Sequence, residues 1–242
     1  MGRIERASAR FAEQVGQSAL FCTLPPDVID RYILPLGQAV SYGKNEYIFS
    51  PAMRAEHVGI IISGTIHILN LFSDGVYSLM NVLSATKVVG ADLVFTNSRQ
   101  PPYYAACVTP ATVFCFPRSL FLGNSDLPEV WHVEIRNRLL TIVSQQNMQK
   151  YYRIAILLQK GLRDRVLIYL SMQAQRRNSN TFEIPFSREE LAAYLCVNRS
   201  ALSHELSRMK QDGLIDFRKK EFTLHMKGET QCLWWKQPSG EQ

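Results

Sequence analysis

The sequence lacks the segments that would attach it to a membrane or export it. No apolar run among the 242 residues approaches the roughly 20 needed to cross a bilayer. The first residues, MGRIERASARF, contain no apolar signal segment, and Arg6 stands where a myristoylation motif would have Ser or Thr. We therefore expect a cytoplasmic protein that does not contact a membrane.

Cysteine is sparse, and its spacing argues against the usual cysteine frameworks. The five cysteines are odd in number and widely spaced, with no CxxC pair, so neither a disulfide scaffold nor a metal cluster is expected. We interpret them as buried free thiols. They are Cys22, Cys107, Cys115, Cys196 and Cys232.

The common catalytic motifs are also missing. There is no His-x-His pair, no recognisable Ser-His-Asp arrangement and no Gly-rich phosphate loop. Cupin-type metal sites usually take two or more histidines and a carboxylate, whereas the β-rich region offers only His57 and His67. We predict no metal, cofactor or catalytic site, and a cupin-type metal-dependent enzyme with an accessory winged helix remains the alternative.

Residues 187–210 show the pattern of two short helices joined by a tight turn. Ser187 and Glu190 match a capping box, which predicts the start of the first helix, and the second helix is expected to begin near Asn198. Leucines spaced for one buried face follow in both segments. This pattern indicates a helix-turn-helix, and an αα-hairpin of an unrelated helical domain is the alternative.

A predicted β-hairpin follows at once, and its turn is basic. Residues 213–217 and 221–225 are apolar or alternating, and Arg218, Lys219 and Lys220 lie between them. A helix-turn-helix followed by such a hairpin is typical of a winged helix. The net charge of +6 permits DNA as a partner but is weak support by itself.

A winged helix assigns roles to particular side chains. An arginine at the start of the second helix can bind a guanine with both of its outer nitrogens, and the N-terminus of the first helix can anchor to phosphates. The predicted DNA-binding residues are Ser187, Arg188, Asn198, Arg199, Ser200, Ser203, His204 and Lys219. A scaffold protein whose winged helix binds another protein is a third possibility, which steep salt dependence of DNA binding would exclude.

The region from about Gly37 to Phe116 consists of short β-rich runs separated by turn signals. Examples of the turns are Ser63-Gly64-Thr65 and Ser73-Asp74-Gly75. Many short strands at this spacing predict a cupin-like β-barrel or jelly roll. Helix-forming residues before Gly37 are interpreted as a lead-in.

A long helix is predicted between Pro128 and Gln159, with Gly161 as a candidate hinge after it. The apolar stripe is too wide for one narrow seam, so the helix is expected to pack on the β-barrel and on a second copy of itself. A single helix lying on its own barrel is the alternative. The predicted seam is Trp131, Ile135, Arg138, Ile142, Gln145, Gln149, Tyr152 and Ile156.

The order of β-barrel, long helix, hinge and winged helix resembles the cyclic-AMP receptor protein / fumarate-nitrate regulator (Crp/Fnr) family of bacterial transcription factors. The resemblance covers about residues 21–227 and is most specific at 188–195, 198–203, 58–65 and 88–93. It implies a homodimer that binds a two-fold symmetric operator on double-stranded DNA, contacts RNA polymerase and responds to a signal in the β-barrel.

The sequence departs from that family where its cyclic-nucleotide-binding members hold the ligand. Their Gly-Glu-Leu turn falls on residues 90–93, which lack the glutamate, and their Arg-Ser pair falls on residues 101–103, which lack both. We therefore expect a small-molecule or redox signal other than cyclic AMP, contacting the long helix near residues 144–149. The predicted effector pocket is Gly90, Ala91, Asp92, Leu93, Arg99, Tyr103, Tyr104, Gln145 and Gln146.

The recognition helix also departs from its relatives. Ser200 and His204 stand where many of them have Glu and Arg. Glu205 stands at a usually apolar position, which predicts either that the helix is rotated or that Leu206 takes that place. The operator sequence should therefore differ from those of better-known members.

The predicted fold is α+β with four parts. They are an effector-sensing β-barrel domain with its lead-in at 1–125, a long dimerisation helix and hinge at 126–160, a winged helix-turn-helix at 161–227 and a tail at 228–242.

Overall fold

The structure is a computed structural model that describes residues 3–6, 11–71, 77–123 and 125–225, the first of these ranges by its backbone alone. The predicted turn at Ser73-Asp74-Gly75, Cys232 and the tail 228–242 lie outside the described residues. The chain divides into two compact units, Met1–Gln149 and Lys150–Gln242.

The first unit contains two antiparallel sheets. One has the strand order β1-β2-β9-β4-β7 and the other β3-β8-β5-β6. The strands are β1 (Arg3–Arg6), β2 (Gln38–Tyr42), β3 (Tyr47–Phe49), β4 (His57–Ser63), β5 (Ile66–Leu71), β6 (Tyr77–Leu83), β7 (Val88–Val89), β8 (Tyr104–Cys107) and β9 (Ala111–Pro117). The β-rich runs of the sequence thus form strands, as predicted.

The two sheets enclose a shared core rather than closing into one barrel. Ile61 and Val113 of the five-stranded sheet pack with Ile66 and Ala105 of the four-stranded sheet. The α+β class and the jelly-roll alternative are therefore confirmed, whereas the described strands form no closed barrel. Closure depends on pairing between strands distant in sequence, which alternation of residue types does not specify.

Helices cover the outer face of the five-stranded sheet. Strand β9 alternates, so that Val113 points to the shared core while Phe114 and Phe116 pack beneath the helices. The helical elements are α1 (Ala12–Gln17), α2 (Pro26–Val28) with the π-turn Ile29–Ile33 and the 3₁₀ turn Leu34–Leu36, the 3₁₀ turn Ala91–Leu93, and α3 (Arg118–Leu122). Pro26 lies in the first turn of α2, where its fixed φ suits the start of a helix.

The long helix α4 (Glu129–Leu157) has 29 residues. Ile135, Leu139 and Ile142 are buried in the same core as Phe114 and Phe116. The predicted dimer seam is therefore wrong, because it includes Ile135 and Ile142, which face the helix's own β unit. No helix among the described residues is both long enough and apolar enough to span a membrane.

The second unit is a small α+β assembly that begins within the last turns of α4. Its elements are α5 (Leu162–Arg177), β10 (Thr181–Glu183), α6 (Arg188–Tyr194), α7 (Arg199–Gln211), β11 (Ile215–Arg218) and β12 (Glu221–Leu224). The strands form an antiparallel sheet in the order β10-β12-β11. Gly161 precedes α5 in an extended conformation.

The buried residues of the second unit come from every one of its helices and strands. The apolar ones within these elements are Val166, Tyr169, Leu170 and Ala174 of α5, Phe182 of β10, Leu191 and Ala192 of α6, Leu202, Leu206 and Met209 of α7, and Ile215, Phe222 and Leu224 of the hairpin, with Ile156 of α4. The predicted helix-turn-helix and wing are both present, and β10 pairs with the wing strand β12.

Candidate nucleic-acid interface

Helix α6 begins with the predicted capping box. Ser187 Oγ accepts a hydrogen bond from the Glu190 amide at 3.2 Å, and the Glu190 carboxylate accepts one from the Ser187 amide at 2.6 Å. Both side chains are thereby committed to the start of the helix. Ser187 contributes to the interface by fixing where α6 begins.

Helix α7 is capped in a similar way by Asn198. Its Oδ1 accepts hydrogen bonds from the Ala201 amide at 2.7 Å and from the Ser200 hydroxyl at 2.9 Å. The cap fixes the start of the recognition helix one residue before Arg199. Asn198 and Ser200, both predicted to bind DNA, are linked to each other in the free protein.

The exposed side of α7 carries the polar residues that could reach base edges. Arg199, Ser200 and His204 are exposed and Ser203 is half-buried, whereas Leu202, Leu206 and Met209 point inward. Ser207 is exposed one turn beyond Ser203 and donates a hydrogen bond to its carbonyl at 3.0 Å. The sequence prediction omitted Ser207, although its spacing of four from Ser203 could have revealed it.

Arg188 lies over the aromatic rings of the wing. Its guanidinium carbon is 4.9 Å from the centre of the Phe217 ring and 5.4 Å from that of Phe222, and it donates to the Lys219 carbonyl at 3.5 Å. Burial lowers the pKa of Arg188. The side chain therefore joins the start of α6 to the wing, a contact that the sequence did not suggest.

The wing turn presents basic side chains. Lys219 is exposed and has a positive φ of 56°, while the ammonium of Lys220 donates to the Pro185 carbonyl at 3.1 Å. At the other end of the hairpin, Lys210 pairs with Asp216 at 2.5 Å. Lys220 and Lys210 therefore have partners within the protein, whereas the Lys219 side chain is exposed at the tip of the wing.

The turn between α6 and α7 is held by two arginines. Arg153 of α4 donates to the Tyr194 carbonyl at 3.2 Å and lies 5.1 Å from the centre of the Tyr194 ring. Arg165 of α5 donates to the Leu195 carbonyl at 3.3 Å. These charged donors bind the last carbonyls of α6, which receive no hydrogen bond from an N–H group within the helix.

Glu205 occupies the position that is usually apolar, and the structure shows how it is accommodated. Its carboxylate bonds the Arg163 side chain at 2.6 Å, and the adjacent Leu206 is fully buried in its place. Leu206 therefore substitutes for the missing apolar residue, as the sequence suggested.

Part of the predicted effector group is assembled in the first unit. Gly90 has a positive φ of 82°, and a Cβ at this position would lie 2.8 Å from the Phe49 ring. The Tyr103 hydroxyl donates to Asp92 Oδ1 at 2.7 Å, which joins the turn Ala91–Leu93 to the segment before β8. Burial and the neighbouring Asp92 carboxylate raise the pKa of Tyr103.

The other predicted effector residues have different surroundings. Arg99 pairs with both carboxylate oxygens of Glu56 at 3.3 Å, and the Tyr104 ring packs 5.3 Å from Tyr47. Gln145 is exposed and Gln146 half-buried on α4.

The described part of the chain contains no group of three or more His, Cys, Asp or Glu residues placed to hold a metal ion. His57 stacks on Phe49 with 5.0 Å between ring centres, and burial lowers its pKa. A cupin-type centre would need a further donor set beside it.

The cysteines correct one expectation. Cys107 and Cys115 are buried free thiols, and burial raises the pKa of Cys107 to about 11 and that of Cys115 to about 12. Cys22 and Cys196 are instead exposed, although neither forms a disulfide. Both lie in turns at helix ends, where local sequence gives little indication of burial.

Two protein-family models match the chain. The model described as a Crp-like helix-turn-helix domain matches residues 164–227, and the model described as a cyclic nucleotide-binding domain matches residues 39–123. The first contains α6, α7 and the wing, and the second contains most of β2 and all of β3 to β9.

Known proteins and solved structures agree with the models. The transcriptional activator protein FnrL of Cereibacter sphaeroides is 23% identical over 193 residues, which cover 76% of this chain and 75% of FnrL. The structure of FixK2 from Bradyrhizobium japonicum matches with a TM-score of 0.60 and 20% identity, over 78% of this chain and 93% of FixK2.

The c-di-GMP responsive global regulator CLP of Xanthomonas campestris matches with a TM-score of 0.65 and 18% identity, over 84% of this chain and 100% of CLP. At these identities the structural matches establish the fold. Nothing in the comparisons supports the cupin-type enzyme.

Proposed function

The chain belongs to the Crp/Fnr family of DNA-binding transcription regulators, and from this premise we propose that it binds a two-fold symmetric operator as a homodimer. The single observation that carries the proposal is the exposed polar side of α7, with Arg199 at its start, beside the basic tip of the wing. In such a dimer, two recognition helices about 34 to 36 Å apart enter successive major grooves.

The second copy of the chain would pack along the exposed side of α4. Val130, Val133 and Leu140 are exposed there, as are Tyr151 and Ile154 further along and Leu158 just after the helix ends. With the polar residues between them they follow the alternating three-four spacing of a coiled coil. The full row is Val130, Val133, Asn137, Leu140, Ser144, Asn147, Tyr151, Ile154 and Leu158.

The signal is proposed to be a molecule other than a cyclic nucleotide. A buried anionic phosphate needs an arginine or several amide donors, and Arg99, the arginine of the predicted pocket, is already paired with Glu56. The Tyr103–Asp92 bond places a carboxylate in the same group of residues, which would repel a phosphate. We propose that the effector contacts α4 near Ser144 to Gln149.

The proposal extends to where the protein acts and what it contacts. The regulator would act in the cytoplasm through RNA polymerase at the promoters it occupies, as a binding protein rather than an enzyme. Its four-part division at residues 1–125, 126–160, 161–227 and 228–242 is proposed on the same grounds.

Selection of bound sequences from a random DNA pool, with and without candidate small molecules, tests the proposal. We expect enrichment of an inverted repeat whose recovery changes when the effector is present. Failure to enrich any sequence at low salt, in every condition, would reject DNA recognition by α7.

A further inference from the structure

Glu205 lies between the buried side of α7 and the exposed side that would face DNA. At about 100° per residue, Leu202, Leu206 and Met209 form the buried side, and Ser200, His204 and Ser207 point the opposite way. Arg199 and Ser203 lie along one edge of the buried side, and Glu205 lies along the other edge. Glu205 is at the edge of the buried side, with 14% of its side chain exposed. A charged group in that position needs a partner.

The closer of its two partners is Arg163, near the start of α5, which contacts α7 at two points; the other is Arg208 of α7 itself, 3.8 Å from the second carboxylate oxygen. Arg163 Nε is 2.6 Å from Glu205 Oε1, and a second nitrogen of the same guanidinium is 2.7 Å from Asp212 Oδ2. Glu205 and Asp212 are seven residues apart, which places them two turns apart on one side of the helix. We call this arrangement the Arg163 clamp.

We propose that the Arg163 clamp fixes the rotation of α7 about its own axis and so determines which base edges Arg199, Ser203 and His204 meet. The inference rests on the proposed DNA binding by α7. A rotation of about 20° would move a side-chain atom lying about 6 Å from the helix axis by about 2 Å, more than a hydrogen bond tolerates.

The geometry distinguishes this role from that of an ordinary surface ion pair. A guanidinium presents its nitrogens in a rigid plane, so bonds to two carboxylates constrain angle as well as distance. Exposed ion pairs contribute little to stability, and Arg163 is 34% exposed. The clamp should therefore affect the choice of sequence much more than the melting temperature.

Charge reversal in the full-length protein tests the proposal. The variants are R163E, E205R and the double variant, with R177E as the matched control because Arg177 is an exposed arginine of the same helix. The dissociation constants for the selected operator and for an unrelated duplex are measured together with the thermal melting curve. We expect each single reversal to weaken operator binding about tenfold, with a change of less than about threefold for the unrelated duplex.

The double variant re-forms the Glu–Arg pair with its ends exchanged, but it leaves Asp212 facing a carboxylate. We therefore expect it to recover only part of the operator binding that each single reversal loses. R163K keeps the charge but cannot bridge both carboxylates, so it should lose part of the discrimination while still folding. R163K therefore tests the clamp even if R163E does not fold.

The clamp would be overturned if R163K and the folded reversal variants preferred the operator over the unrelated duplex as strongly as wild type does. An equal loss in R177E would do the same, because it would assign the effect to charge alone. Absence of sequence preference in the wild-type protein would instead reject the proposed function, and the clamp with it.

Discussion

The guanidinium of Arg199 makes no hydrogen bond or ion pair with any residue in the described ranges, and it is exposed at the first residue of α7. A free guanidinium in this position can bind a guanine through two hydrogen bonds. Arg199→Ala should therefore cost about 1 to 3 kcal/mol of specific binding and relax the preference at one base pair of each half-site.

Competition binding against operators changed at single positions measures this effect. Arg177→Ala is the control, because it removes the same charge from an exposed position at the end of α5. An unchanged footprint and unchanged base preference in Arg199→Ala would contradict the assignment.

Arg188 has a different role from Arg199, because its side chain is half-buried over Phe217 and Phe222. Arg188→Ala should weaken binding to all sequences alike and lower the stability of the second unit by about 1 kcal/mol, since the cation–π contacts to the wing are lost. Denaturant unfolding and binding to unrelated duplexes are the two measurements.

The conservative variant separates the two roles of Arg188. Arg188→Lys keeps the positive charge for a phosphate but loses the flat stacking surface. If it matched wild type in both stability and affinity, the wing contact would have no energetic importance.

Single residues show where sequence reasoning reached its limit. The capping box at Ser187 was predictable because it needs only residues three apart. The contact of Arg188 with the wing joins residues about thirty apart, and the Arg163 clamp joins residues about forty apart, so neither leaves a local pattern. Exposure of Cys22 and Cys196 was missed because both lie in turns at helix ends, where residue type alone does not determine burial.

At the scale of elements, α4 shows why a helix can be predicted while its contacts are not. The helix was predicted from Pro128 to Gln159 and spans Glu129–Leu157. Its apolar residues surround much of the helix, so the sequence allowed several candidate faces. Only the packing of Ile135 and Ile142 against β9 identified the face that remains exposed.

That exposed face leads to a prediction about assembly. Leu140 is 66% exposed, and a glutamate there would place two carboxylates in the proposed seam of a dimer. Leu140→Glu should weaken dimerisation by about 2 kcal/mol or more for each copy and abolish operator binding at concentrations where wild type binds. Sedimentation equilibrium measures the dimer directly.

Gln149→Glu is the matched control for Leu140→Glu. It adds the same charge nine residues later, which places it on the opposite side of the helix. If Leu140→Glu dimerised as strongly as Gln149→Glu, the dimer interface could not include Leu140.

At the scale of the whole molecule, the net charge of +6 is modest for a protein that binds DNA. Each dimer nevertheless contributes two sets of α6 N-termini, Arg199 side chains and wing lysines. Contacts to six or more phosphates should reduce affinity about 10³-fold between 50 and 200 mM salt. Titration of a fluorescent duplex across that range tests this expectation, and a shallow slope would favour a scaffold that binds protein.

Asn137, Ser144 and Asn147 interrupt the apolar row of α4, and such interruptions make a paired helix easier to separate. Where most copies are single, the number of pairs rises with the square of the number of copies. A twofold change in synthesis would then alter promoter loading about fourfold. The expression level of this regulator would thus act as a signal in its own right, alongside whatever molecule it senses.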